Sequence, residues 1–476
     1  MEIILKNRKN NLYSKSEYRQ IVAIFLVEIT SSIAFAVFFS SLSLFLTQSI
    51  GLSKISAAAI TGVFLSFNYF LQLIGGIIAN KLVTYKKLFL LGLSSSLVGC
   101  IILGFTHYLY LGLSLFLMSS LVTNVCLNMF ITQIFRLHET KKRRIAFIWN
   151  YIGMNLGFMI GFFLTGLLSL YEKFSYIFII MIFFILVTLT IVRKYINEPN
   201  LKKSLNIPIK LEFFYGISAI IFLTTLVDIV LRYAAKIEKY FLVFVVAISI
   251  SILLFCFKKT SVEMKRNFKI YCYFAFIAII YWSIYMLTPT AIMQFINNDV
   301  VKSVSGIKIA PQWFENIDSI IIILFGPLLG IIIKKIRHFS TINCFIFGLF
   351  FSAISISFII FSLYIHPLNH KLPVYSIIAY LVFLTLGEML ISPTGNALVG
   401  ELIEENYRGI ITGVWSMTIG TGSIIASLIG KTYILPYVVG TGINPYIRQE
   451  LIQNFSIIVI VVLFFVIVNF LLQKIY

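Results

Sequence analysis

The sequence predicts an all-α polytopic membrane protein of about fourteen spanning helices. Three observations carry that prediction. The chain is 59% apolar and only 12% charged, too little charge to cover the surface of a soluble protein. Its mean hydropathy is +0.97, and its apolar residues come in runs of about 20 or more, the length that crosses a bilayer. Its basic residues cluster in alternate gaps between those runs. At 476 residues the chain has the length of two or three soluble domains, a reading that this composition excludes.

The first six runs lie near 21–48, 54–80, 87–106, 109–134, 145–169 and 174–195. Two follow near 211–231 and 239–257, and the last six near 268–296, 315–335, 341–365, 373–397, 408–431 and 453–473. The run that opens at Ile21 is too long for a signal-peptide core, so it stays as a span behind a polar, basic segment, 1–20. With that segment inside, 28 of the 38 Lys and Arg fall on the cytoplasmic side. The bias places both termini in the cytoplasm. The net charge of +20 then reports orientation rather than nucleic-acid binding.

The spans group as six, two and six: a bundle over 21–200, an inserted hairpin over 201–265 and a second bundle over 266–476. Many secondary transporters are built from such related halves. Asp228, Arg232, Lys236 and Glu238 surround the short connection inside the hairpin. They predict a solvated turn on a peripheral element, outside any cavity.

Ionisable groups within spans are expensive, and each is a functional candidate. Two acids lie deep: Glu28, about 10 Å from the cytoplasmic start of the first span, and Glu388, about 13 Å from the cytoplasmic end of its own. Similar depth in the two halves favours a shared polar cavity. The competing reading for each is a protonated carboxyl bonded to a neighbouring helix. A carboxyl that moves between a buried site and one near a cation changes its proton affinity, the basis of proton-coupled transport. No cation lies within a turn of Glu28.

Asn124, Asn128 and Gln133, Asn150, Tyr151 and Asn155, and Asn68 and Tyr69 are further polar groups inside spans. Each has interhelical bonding as its plainer role. Pro289, Pro327 and Pro393 mark kinks or hinges. Trp282 and Trp415 lie in span interiors, and Trp313 sits at an interface position. The five cysteines all fall in apolar runs without a CxxC pair, so they are packing residues. The five histidines lie in loops or at helix ends, and HExxH, GxSxG and Walker motifs are missing from the sequence. Metal sites, catalytic residues and ATP-driven chemistry are therefore not expected, and neither is an enzyme.

Several segments carry a resemblance. FIWNYIGMNLGFMIGFFLTGLL (147–168) resembles an aromatic-Y-M-G-x-N-x-G signature through Tyr151, Gly153, Asn155 and Gly157. LGEMLISPTGNALVGELIEENYRGIITGVW (386–415) resembles a second through Gly387, Glu388, Ser392, Pro393, Gly395, Gly409, Gly413 and Trp415. FNYFLQLIGGIIAN (67–80), PTAIMQFINNDV (289–300) and GIKIAPQWFENIDSIIIILFGPLLG (306–330) add three more. Together they resemble the proton-dependent oligopeptide transporters of the major facilitator superfamily.

The resemblance implies the major facilitator fold, two six-helix bundles plus an inserted two-helix hairpin. It implies alternating access and uptake of di- or tripeptides in symport with protons, in the bacterial cytoplasmic (inner) membrane. The implied protein works as a monomer, with a proton gradient in place of any cofactor and no nucleic-acid partner. By the same resemblance Glu28 carries the coupling proton and Glu388 receives the substrate amine. Tyr69, Asn128, Tyr151, Asn155, Trp282, Asp318, Ser392 and Trp415 line the site.

This chain departs from the family pattern at several points. The E-x-x-E-R of the first span reads E-I-T-S-S, with Ser31 and Ser32 for the second Glu and the Arg. A fourth-span Lys is Asn128, and a seventh-span Gln and the often acidic residue before it are Leu287 and Met286. An eighth-span Asn is Asp318, and a loop Asp is Asn80. Losing two cations alters carboxylate recognition and keeps amine recognition. The divergence leaves open a carrier or exporter of a non-peptide solute, or a non-transporting sensor or scaffold.

Overall fold

The computed structural model describes residues 14–79, 82–135, 139–171, 176–197, 208–335, 340–367, 370–438 and 444–473. Asn80, His138 and His338 lie outside these residues. The helices, in order, are α1 (Lys15–Gln48), α2 (Lys54–Ile78), α3 (Tyr85–Leu103), α4 (Leu109–Leu117), α5 (Thr123–Ile134) and α6 (Thr140–Leu170). Next come α7 (Tyr176–Tyr195), α8 (Ile209–Arg232), α9 (Ala234–Lys259), α10 (Lys265–Tyr285) and α11 (Met293–Asp299). The last are α12 (Asn316–Lys335), α13 (Thr341–Ile365), α14 (Val374–Leu402), α15 (Glu405–Ile429) and α16 (Pro445–Gln473).

Among the described residues, 12 helical segments are long and apolar enough to cross a membrane. The chain is an all-α polytopic membrane protein. Two predicted spans fall outside that set. The one near 315–335 is the helix α12, whose side chains from 327 on are not among those described. The one near 109–134 is a correction: the chain breaks between α4 and α5 at 118–122. There the amides of Met118, Ser119, Ser120 and Val122 bond three residues back rather than four. Ser119 Oγ donates to the Phe116 carbonyl at 2.9 Å and Thr123 Oγ1 to the Ser119 carbonyl at 2.8 Å. Hydroxyls that bond backward in this way bend helices. Gly75 of α2, lacking a Cβ, lies directly against the carbonyl of the buried Leu121.

Local sequence sets the other element boundaries. Ser14 and Glu17 form a reciprocal capping box at the start of α1, with the Ser14 amide donating to Glu17 at 2.7 Å and the Glu17 amide to Ser14 Oγ at 3.2 Å. Pro289, with no amide hydrogen, falls in a π-type turn over Thr288–Ile292 that separates α10 from α11. Thr290 Oγ1 donates to the Met286 carbonyl there at 2.7 Å. Pro393 is accommodated inside α14 without a break. The only strands among the described residues, β1 (Ser303–Val304) and β2 (Ile307–Lys308), form a two-residue hairpin. Ser305 (φ 50°) and Gly306 (φ 81°) supply the two positive φ values of its turn.

The described residues pack as two compact units. One comprises residues up to 36, 74–161 and 175–228; the other comprises 37–73, 162–174 and 229–476. In the first, Glu212 of α8 is fully buried, pairing with Lys87 at 2.8 Å and accepting the Thr84 amide at 3.0 Å. Thr30 and Thr188 share a hydroxyl bond of 2.7 Å between α1 and α7. In the second, Gln294 is buried and donates to Ser43 O at 2.8 Å, Ser43 Oγ at 3.0 Å and Thr47 Oγ1 at 3.0 Å, tying the end of α1 to α11. α2 runs along α15 on small residues: a Cβ on Gly62 would stand 2.9 Å from the Ser423 carbonyl, and one on Gly420 3.1 Å from that of Ser66. Close backbone approach of this kind holds membrane helices together. Trp313 stacks on Phe163 at 5.7 Å and donates to its carbonyl at 3.1 Å. All five cysteines are free thiols.

The hairpin turn differs from its sequence reading. Glu238 is not solvated: it is buried, pairs with Lys431 and accepts the Ser427 hydroxyl at 3.1 Å. A buried carboxylate needs such partners, and the turn's charges include one that clamps α9 to the end of α15. Removing one member of a buried pair strands the other, so Glu238→Ala is expected to cost about 3–5 kcal/mol of stability. The double variant Glu238→Gln/Lys431→Met should lose clearly less. Thermal unfolding of the purified protein in detergent checks both.

Candidate functional site

In the unit containing α6, the glycines of the 147–168 signature serve packing. Gly153, Gly157 and Gly161 recur every four residues on one helix face, and a Cβ on Gly157 would stand 2.5 Å from the Ile29 carbonyl of α1. That approach brings Asn150 to Glu28. The Glu28 carboxyl is buried, with Ser32 Oγ at 3.5 Å and the Asn150 side chain in hydrogen-bonding reach, while its Oε2 has no partner among the described residues. Trp149 meets Phe25 edge-on at 6.0 Å and braces the same contact. Asn155, also buried, donates to the Tyr151 carbonyl of its own helix at 3.0 Å. Tyr151 and Asn128 are exposed.

The other unit holds the more concentrated chemistry. Asp318, near the start of α12, accepts a 2.8 Å hydrogen bond from Thr385 Oγ1 of α14. Glu388, one turn further along α14, lies in hydrogen-bonding reach of Asp318, and the Tyr285 hydroxyl of α10 reaches both. Two carboxyls this close tolerate each other only around a shared proton or a bound cation. Glu315, one turn before Asp318, is buried, and its charge acts on both. Neither Glu315 Oε1 nor Glu388 Oε2 meets a donor among the described residues.

Aromatic side chains frame this cluster. Tyr281 donates to the Leu384 carbonyl at 2.7 Å, and Tyr380 shares a 3.0 Å bond with Thr288. Trp282 packs edge-on against Tyr281 and Tyr285, each at 5.3 Å, with its buried Nε1–H unpartnered. Tyr69 is half-buried and within electrostatic range of Glu388. Trp415 is buried beside Tyr271, with Gly395 seated directly on its ring. Ser392 is half-buried one turn beyond Glu388.

The geometry therefore gathers Asp318, Glu388, Trp282 and Tyr69 around one polar centre. Trp415 has a packing role beside it, and Glu28, Asn155, Tyr151 and Asn128 belong to the other unit. Sequence reading missed Tyr285, Thr385, Glu315 and Gln312. Glu315 and Asp318 had a signal: acids three residues apart at the start of an apolar run share a helix face.

The sequence profile of the Major Facilitator Superfamily matches residues 24–427. The chain is 25% identical over 420 residues to Peptide transporter YePEPT of Yersinia enterocolitica subsp. palearctica serotype O:3 (strain YE-P4), covering 80% of each chain. It is 22% identical over 443 residues to Dipeptide and tripeptide permease A of Proteus mirabilis (strain HI4320), covering 90% of this chain and 89% of that one. A crystal structure of peptide transporter POT in complex with sulfate superposes with a TM-score of 0.84 at 15% identity, over 96% of this chain and 94% of that one. A POT family transporter in complex with 5-aminolevulinic acid gives 0.82 at 18%, over 95% and 96%. At these identities the superpositions carry the fold, and the profile match along most of the sequence carries the family: this chain belongs to the Major Facilitator Superfamily, and the relatives it matches there are peptide transporters.

Proposed function

We propose that this protein is a secondary active peptide transporter of the bacterial cytoplasmic membrane, driven by the proton gradient through alternating access. The observation that carries the reading is the carboxyl pair Asp318 and Glu388, held by Thr385 and Tyr285 inside an apolar bundle. It offers a buried negative centre to a substrate amine, and relatives named as peptide transporters match the chain over most of its length. Glu28 is the proton-responsive carboxyl, with neutral partners in Ser32 and Asn150. Tyr69, Trp282, Ser392 and Trp415 line or brace the amine end, and Asn128, Tyr151 and Asn155 contribute from their own helices. The chain is organised as bundles over 21–200 and 266–476 with a hairpin over 201–265. Both termini are cytoplasmic, and the working unit is a monomer.

A second reading, a carrier of a non-peptide amine, draws on Ser32 and Asn128. These neutral residues stand where the family pattern has cations for a substrate carboxylate.

In proteoliposomes, labelled dialanine should enter faster under an inward proton gradient, and Glu28→Gln should abolish that stimulation while the variant still inserts and folds. Absence of dialanine uptake by well-folded wild type would favour the second reading.

Alternating access also requires the contacts of Gln294 with Ser43 and Thr47 to break and re-form. Net hydrogen bonds are worth about 1 kcal/mol each, so Gln294→Leu should shift the conformational balance by roughly 1–3 kcal/mol. Spin labels at Gln48 and Ser303 should then gain a longer-distance population that wild type lacks.

A further inference from the structure

We infer that Glu315, Asp318 and Glu388 form a subsite for a second positive charge, so that the transporter favours peptides bearing a Lys or Arg side chain over neutral ones. This rests on the peptide-transport reading above. Three carboxyls meet here, and the surrounding sequence supplies no counter-charge. Lys, Arg and His are missing from 271–300, 311–333, 374–402 and 409–430, the stretches that include α11 and α14 and most of α10, α12 and α15, whose first turn carries Arg408. Among the described residues, none of the ion pairs involves any of the three acids.

The substrate's α-amine accounts for one neutralising charge. A proton shared between Asp318 and Glu388 would leave two carboxyls able to carry negative charge, one more than a single amine satisfies. Glu315 is the independent sign that something is meant to sit there. It is 3% exposed, acts electrostatically on both members of the pair, and keeps Oε1 without a donor. Gln312, a further turn back and fully buried, has neither amide atom partnered among the described residues.

Unpartnered buried polar atoms are costly, and a ligand that fills them regains that cost on binding. Glu315 and Asp318 lie three residues apart on one helix face, about 5–6 Å between Cβ atoms. The four-methylene stem of Lys reaches across that separation from a bound backbone. Tyr281, Tyr285 and Tyr380 add ring faces that suit a cation better than an apolar side chain.

The test is calorimetric binding of Ala-Ala, Lys-Ala and Ala-Lys to the full-length purified protein, with cadaverine as a diamine without a carboxylate. At least one Lys dipeptide should bind about tenfold tighter than Ala-Ala. Cadaverine should compete with it, and Asp318→Asn and Glu315→Gln should each bring the Lys-to-Ala ratio near one. Equal affinities in wild type, or a preference that survives both substitutions, would overturn the subsite. If neither type of dipeptide binds but cadaverine does, and Glu315→Gln weakens it, the subsite stands and the peptide reading falls. If none of the four compounds binds folded wild type, the subsite falls as well.

Discussion

In a low-dielectric bundle every polar group must find its partner inside the protein, and this structure is organised around that requirement. Its hydroxyls mostly meet it locally. Thr61 and Thr421 each donate to the carbonyl four residues back at 2.8 Å. Several of its buried carboxyls instead reach between helices. Glu212 reaches Lys87 and the Thr84 amide, Glu238 reaches Lys431 and Ser427, and Asp318 reaches Thr385. The acids thus sort by partner. Glu212 and Glu238, each with a cation, clamp helices together, whereas none of the ion pairs among the described residues involves Glu28, Glu315, Asp318 or Glu388.

Small residues make those reaches possible. Gly157 lets α6 approach the α1 backbone closely enough for Asn150 to meet Glu28. Gly387 accepts the Tyr281 ring at a distance, 2.9 Å from a would-be Cβ, that any side chain would forbid. Gly157 and Gly387 are therefore contact surfaces.

The architecture was legible because hydropathy and basic-loop bias are properties of single segments. The interruption at 118–122 was not, since it depends on Ser119 and Thr123 bonding backward and on Gly75 of another helix pressing on Leu121. Glu238 was misread for the same reason: its sequence neighbours are turn-like charges, while its partner Lys431 lies 193 residues away. Glu388 was singled out from its depth and from the 386–415 resemblance. The pairing with Asp318 required α12 and α14 to be brought together, information that no local pattern contains.

The two kinds of acid centre differ in what their partners permit. Glu28 faces a hydroxyl and an amide, groups that can each donate or accept, so its surroundings serve the charged and the neutral carboxyl with only a rotation of Ser32 or Asn150. Gaining or losing a proton there asks little of the fold, which suits a coupling site. Asp318 and Glu388 face each other and a tyrosine, with Glu315 one turn away. Removing the shared proton without delivering a cation would leave adjacent negative charges in an apolar setting, the most costly arrangement available to them. In the proposed reading, occupancy by a positive group is thus tied to proton content by electrostatics.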